Sequence, residues 1–273
     1  KENECVCPGQ SCSDCNLADQ CLYTAIFESR VSGSGPLPFP GLFQLPPPYI
    51  FHSESFSSIG KNRAETHRIN LRLFGPLTKY LNVLIRAMVK AGENGIGKGK
   101  ALLHLAEVCD VNTGQILFVH NSGWRLPPPI HRLRFNKGAL YSTVKIQLQS
   151  PLRLSKLGSD PKKLSAEIFF RHLLRRFQLM VYLYGENFTR IDMGKFKSEI
   201  SKLSFHAELH YEKLYRYSQR QGCKVPMHGF LGCIEFGGIS PFLAELIRVG
   251  EHVHLGKATV MGLGNYKIIS AVG

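Results

Sequence analysis

The sequence predicts an α+β fold of tandem ferredoxin-like domains behind a Cys-rich N-terminal segment. Three observations predict it. Residues 143–273 read β-α-(insert)-β-β-α-β, the split βαβ order of a ferredoxin-like unit. Residues 31–142 read β-β-α-β, which is the same order without its first strand and helix. The 273 residues are 44% hydrophobic, enough to bury a core and too apolar for a disordered chain. The expected domains are therefore 1–142 and 143–273, the first holding a Cys-rich segment 1–30 and a Pro-rich loop 32–48. The missing strand and helix would lie upstream of Lys1, where the chain has no initiator Met.

The elements follow from local patterns. Pro36-Leu-Pro-Phe-Pro and Pro46-Pro-Pro exclude a helix interior and favour extended chain. Tyr49–His52 reads as a strand. His67–Phe74 reads as another, with Ile69, Leu71 and Leu73 alternating with polar residues. Leu77, Tyr80, Leu81, Leu84, Ile85 and Met88 recur at helical spacing, and Gly92 supplies a stop. Ala101–Val111 and Gln115–Val119, joined by Asn112-Thr-Gly, predict a hairpin. Trp124–Ile130 is a second Pro-rich break. In the second domain Val144–Leu148 alternates as a strand and a helix runs over about 165–184, with Phe169, Leu173, Phe177, Met180 and Tyr184 on one side and Arg171, Arg175 and Arg176 off it. A short helix at 192–204, strands at 210–217 and 230–236, a helix from Pro241 and a strand at 262–269 complete the order.

Charge narrows the function. Lys and Arg number 34 against 20 Asp and Glu, a net +14. The first 30 residues carry −3, residues 31–142 carry +8 and residues 143–273 carry +9. Two basic blocks suit a polyanion, nucleic acid before anionic membrane, although a merely solvated basic surface has the same composition. No apolar run is long enough to cross a bilayer, and no leader pattern opens the chain, so a cytoplasmic protein is expected.

Five of the eight cysteines, Cys5, Cys7, Cys12, Cys15 and Cys21, fall in the first 21 residues. Four of the five could hold a structural zinc or an iron–sulfur cluster, with Cys12, Cys15 and Cys21 the core of the set. A disulfide and unused thiols are the other readings, the first disfavoured in a reducing compartment. Near the C-terminus, Gly256, Gly262 and Gly264 bracket Lys257 and Thr259 between a helix and a strand. Glycines let backbone amides approach a phosphate, and Lys257 adds a point charge. The spacing is not that of a nucleotide P-loop, and a turn with a bulge would leave the same trace.

Taken together, Gly229-Phe-Leu-Gly-Cys-Ile-Glu-Phe-Gly-Gly, Pro241-Phe-Leu-Ala-Glu-Leu and Gly250-Glu-His-Val-His-Leu-Gly-Lys-Ala-Thr-Val-Met-Gly-Leu-Gly-Asn-Tyr resemble the C-terminal domain of the CRISPR repeat-RNA-processing endoribonucleases of the RAMP superfamily. Ser150-Pro-Leu-Arg-Leu and Leu174-Arg-Arg-Phe…Tyr184-Gly extend the resemblance, and Gly95-Ile-Gly-Lys-Gly-Lys resembles that family's other glycine-basic loop. The Cys12-x2-Cys15-x5-Cys21 head resembles an insert of some bacterial members.

The resemblance implies tandem ferredoxin-like domains related to the RNA-recognition module. It implies binding of CRISPR repeat RNA and one cut per repeat without a metal ion or other cofactor. The 2′-OH attacks the adjacent phosphate and leaves a 2′,3′-cyclic phosphate. The mature crRNA and other CRISPR effector proteins are the implied partners, and no membrane is. RNA contacts fall on Gly256, Lys257, Thr259, Gly262 and Gly264, with Lys98 and Lys100 in the first domain. The basic sets Arg125, Arg132, Arg134 and Arg175, Arg176 could follow the RNA backbone, or be solvated faces.

The family's usual catalytic His has no counterpart in residues 1–51, so the base could lie upstream of Lys1. Within the chain the candidates are His52, His254 and Lys257; the plainer reading makes His52 a polar strand-end residue and His254 a packing residue. A subunit of the same superfamily that grips guide RNA in an effector complex without cutting it is the alternative.

Overall fold

A computed structural model describes residues 11–12, 14–28, 45–53, 66–96, 99–120, 122–135, 141–155, 157–186, 191–218 and 221–273. In chain order the elements are α1 (Leu22–Phe27), β1 (Tyr49–Ser53), β2 (Ile69–Leu73), α2 (Leu81–Glu93), β3 (Glu107–Cys109), β4 (Ile116–Val119), β5 (Gly123–Trp124), β6 (Thr143–Leu152), α3 (Ala166–Tyr184), α4 (Met193–Ile200), β7 (Ser204–Glu212), β8 (Tyr215–Ser218), β9 (Cys223–Pro226), β10 (Gly229–Gly237), α5 (Pro241–Val253) and β11 (Tyr266–Val272). The architecture is α+β with antiparallel sheets. The chain divides into two compact units: residues 1–29 with 53–132, and residues 30–52 with 133–273.

The second unit is the clearer one. Its four-stranded sheet has the order β11-β6-β10-β7, antiparallel throughout, so the first strand of the sheet in sequence lies between the last and the third. That is the ferredoxin-like arrangement the element order predicts. Strand β6 alternates as a half-buried strand should: Val144, Ile146 and Leu148 are buried and Lys145 and Gln147 are not. They meet Phe169 and Leu173 from α3, Leu243 and Ile247 from α5, and Ile234 and Phe236 from β10. The Phe236 ring packs 5.1 Å from both Phe169 and Phe170. Each such side chain contributes about 1.5–3 kcal/mol by leaving water.

Serine caps begin two of the helices. The Ser165 hydroxyl accepts from Ile168 N–H at 3.3 Å, and the Ser240 hydroxyl accepts from Leu243 N–H at 3.3 Å with Pro241 in the first turn. Tyr266, wholly buried, donates from its hydroxyl to Ile247 O at 2.7 Å. It fills the notch left by Gly250, where any Cβ would collide with the Tyr266 hydroxyl.

In the first unit, β3, β4 and β5 form an antiparallel sheet. The predicted hairpin at Asn112-Thr-Gly is present, but its first strand shrinks to Glu107–Cys109. The Asp110 carboxylate closes the turn, accepting from the Thr113 hydroxyl at 2.6 Å. A 3-10 turn, Gly75–Tyr80, precedes α2, so the predicted helix starts at Leu81. Two other expectations shift. The strand predicted over 210–217 is split between β7 and β8, and the one predicted from Gly262 starts at Tyr266. Gly262 and Gly264 take positive φ (+79° and +67°), which keeps this stretch out of the sheet.

Candidate nucleic-acid interface

The glycine-rich loop between α5 and β11 is fastened to the end of β6. Helix α5 stops at His254, whose φ of 56° and ψ of 165° are a conformation left mostly to glycine. From there Leu255 N–H donates to Gly264 O (3.0 Å), Gly264 N–H to Pro151 O (3.1 Å) and Lys257 N–H to Arg153 O (2.8 Å). The Ser150 hydroxyl donates to Gly262 O at 2.7 Å and accepts from Asn265 N–H at 2.9 Å. The Ser150-Pro-Leu-Arg motif and the glycine loop are therefore one assembly. Its glycines are required by space: a Cβ on Gly256 would collide with Arg153 O and one on Gly264 with Leu255 O.

Gly262 faces a different neighbour. A Cβ there would lie 2.6 Å from His52 Nδ1 and 3.1 Å from Phe51 O. Strand β1 thus lays His52 on the loop, and the His52 ring stands edge-on to the buried His254 ring at 6.4 Å. Of the three candidate catalytic residues, two histidines meet at the loop. Lys257 is exposed, whereas Thr259 is buried within a 3-10 turn.

Lys257 does not stand alone. The His172 imidazole on α3 is held below its ordinary pKa, first by burial and then by the positive charges of Arg171, Arg175 and Lys257. One helix face and the loop therefore share a cationic surface. Sequence reasoning missed His172, although its place between Arg171 and Arg175 was a signal. It also missed Arg153, whose Nη1 donates to Pro226 O at 2.7 Å at the end of β9.

Arg176 departs from expectation. It is 8% exposed and donates from Nε to Val253 O at 3.0 Å, on the last turn of α5. Burial brings its guanidinium down to about 10. It braces the entry to the loop from within and is not a surface contact for RNA. Arg175 is exposed.

The remaining predicted residues lie apart from the loop in sequence. Ile96 and Ala101 exchange backbone hydrogen bonds at 2.8 and 3.0 Å, closing the first unit's glycine-basic loop, and Lys100 on it is exposed with φ 46°. Lys98 lies outside the described residues. Arg125, Arg132 and Arg134 are exposed, and the Arg134 carbonyl accepts from Arg248 at 2.7 Å. Cys12, Cys15 and Cys21 are half-buried, and Cys5 and Cys7 lie outside the described residues. Among the described residues no three His, Cys, Asp or Glu side chains gather as metal ligands would. Among them, too, no helix is long and apolar enough to cross a membrane.

Comparison with known proteins agrees with this geometry. Residues 146–266, which hold β7, β10, most of β6 and the glycine loop, match the family model of the CRISPR-associated endoribonuclease Cas6. Residues 1–129 match a second model, AF_1859_N, described as an N-terminal domain. No curated protein matches. Among solved structures, a Cas6 (TTHB231) product complex is 14% identical, with 82% of each chain covered and a TM-score of 0.54. Thermus thermophilus Cas6 (TTHB231) is 12% identical over 81% of this chain and 79% of that one, with a TM-score of 0.51. A partial Cas6-RT-Cas1–Cas2 complex, 14% identical, covers 77% of this chain and 36% of that one at a TM-score of 0.50. The structures share the fold, and the match to the Cas6 family model falls on the unit that carries the fastened loop.

Proposed function

We propose that the chain binds CRISPR repeat RNA and cuts it by transesterification, with no metal ion in the chemical step. A general base takes the proton of a ribose 2′-OH. The oxygen attacks the adjacent phosphorus, the 2′-O–P bond forms and the P–O5′ bond breaks. The leaving 5′ oxygen takes up a proton, and the products end in a 2′,3′-cyclic phosphate and a 5′-OH. His52 is the base in this reading, His254 borders it, and Lys257 offsets charge developing on the phosphate. Gly256–Gly264 and Arg175 hold the RNA backbone, and Lys98, Lys100, Arg125, Arg132 and Arg134 are further RNA-binding residues in this reading.

One observation carries the proposal: His52 lies against Gly262 in the loop whose Lys257 shares a cationic surface with α3. The test is incubation with the cognate repeat RNA in excess EDTA. A single cut with a cyclic phosphate end is expected, abolished by a 2′-deoxy nucleotide at the scissile position. His52→Ala should slow the cut by about 10²–10⁴-fold with binding retained. Cleavage that stops in EDTA, or that survives His52→Ala unchanged, overturns this mechanism. At the N-terminus the proposal is a structural zinc or iron–sulfur cluster on four of Cys5, Cys7, Cys12, Cys15 and Cys21. Metal analysis and the absorption spectrum of anaerobically purified protein test it.

A further inference from the structure

The first unit carries a concave site outside the glycine loops. A broad, open concavity of about 610 Å³ lies between α2 and the β3-β4-β5 sheet. One wall is aromatic. Trp124, 36% exposed, meets Phe118 edge-on at 5.5 Å, which fixes the indole. The facing wall is α2, where Asn82, Arg86 and Lys90 recur every four residues and so line one side of the helix. Ile85 and Val89 complete the apolar part, His120 lies at the sheet side, and Glu93 is the one acidic residue on the lining.

A flat aromatic group opposite two cations suits a flat aromatic ligand that carries negative charge. A nucleotide has both properties: its base stacks on an indole and its phosphate pairs with Arg or Lys. The hydrophobic alternative, an apolar peptide, would cover Arg86 and Lys90 with Glu93 as the single counter-charge for both. We infer that this cavity binds a nucleotide of single-stranded RNA, with the base on Trp124 and the adjoining phosphate on Arg86 and Lys90. The choice of RNA as the source of that nucleotide rests on the repeat-cutting reading above; the cavity's chemistry does not. A free nucleoside monophosphate shares the chemistry and is separated by the test.

Trp124 is the sole tryptophan of the chain, so its fluorescence reports this cavity alone. The full chain is titrated with a hexa-adenylate RNA and, in parallel, with AMP. A saturable quench by the hexamer is expected, with acrylamide access to Trp124 reduced in the complex. Arg86→Gln with Lys90→Gln should weaken the quench at least tenfold while the melting temperature stays within a few degrees. One neutralised phosphate predicts a log–log salt slope of about −0.7 for a single strand. A quench by AMP as strong as by the hexamer assigns the site to free nucleotides and overturns the RNA assignment. Fluorescence that stays unchanged while the polarisation of labelled repeat RNA reports binding overturns the site and leaves the glycine loop untouched. Repeat RNA that neither binds nor is cut, beside an intact Trp124 quench, overturns the cleavage proposal instead.

Discussion

Gly262→Ala tests whether His52 truly rests on the glycine loop. Gly262 is buried at φ +79°, so alanine costs about 1–2 kcal/mol in the left-handed region alone. Its Cβ would sit 2.6 Å from His52 Nδ1, and 3.1 Å from both His52 Cβ and Phe51 O. Something must move, and overpacking of this kind costs about 1–3 kcal/mol. The sum is about 2–5 kcal/mol, or a melting temperature about 4–20 °C lower for a unit of this size. The second perturbation separates the two parts. His52→Ala removes the imidazole but leaves Cβ and Phe51 O in place, so it relieves the closest contact and not the backbone strain. In a thermal-melt cycle of the two single variants and the double, the double should cost about 1–2 kcal/mol less than the sum. Additivity within about 0.5 kcal/mol would mean that His52 does not touch the loop, and the assignment of His52 as base would go with it.

The cationic surface predicts a pH signature. His172 has its pKa lowered in the folded state, so the unfolded chain binds the proton more readily. Stability is then full above the unfolded value of about 6.5 and falls as the pH drops through it. An NMR titration of the His172 ring should show a midpoint below that value, rising when RNA neutralises Arg171, Arg175 and Lys257; a midpoint that ignores RNA refutes the shared surface. In the core, Gly250→Ala should be destabilising by about 3 kcal/mol or more, because its Cβ meets the Tyr266 hydroxyl. Tyr266→Phe costs about 1–2 kcal/mol by itself and should recover part of that loss in the double variant, read by chemical denaturation.

The second unit was legible because its signals are local. Alternation in β6, the helix beginning near residue 165 and Pro241 at a helix start each need only neighbouring residues, and all three recur in the structure. Arg176 was misread for an instructive reason. It lies three residues after Leu173 and four before Met180, which is the buried side of α3, and its charge outweighed its position in the reading. The strand expected from Gly262 failed because two positive-φ glycines look like strand punctuation until the loop they close is seen. The His52–Gly262 contact was beyond reach of any pattern. It depends on a tertiary approach between residues near opposite ends of the chain, as does the effect of Lys257 on His172.

The path of the chain through the two units has a practical meaning. It passes from one to the other at residue 30, returns at 53 and crosses again at 133. A fragment starting at residue 133 would keep the sheet, the helices and every loop glycine, yet it would lack β1 and His52. On the proposed mechanism such a fragment would hold RNA without cutting it, and a peptide spanning 45–53 is the piece whose addition should restore cleavage.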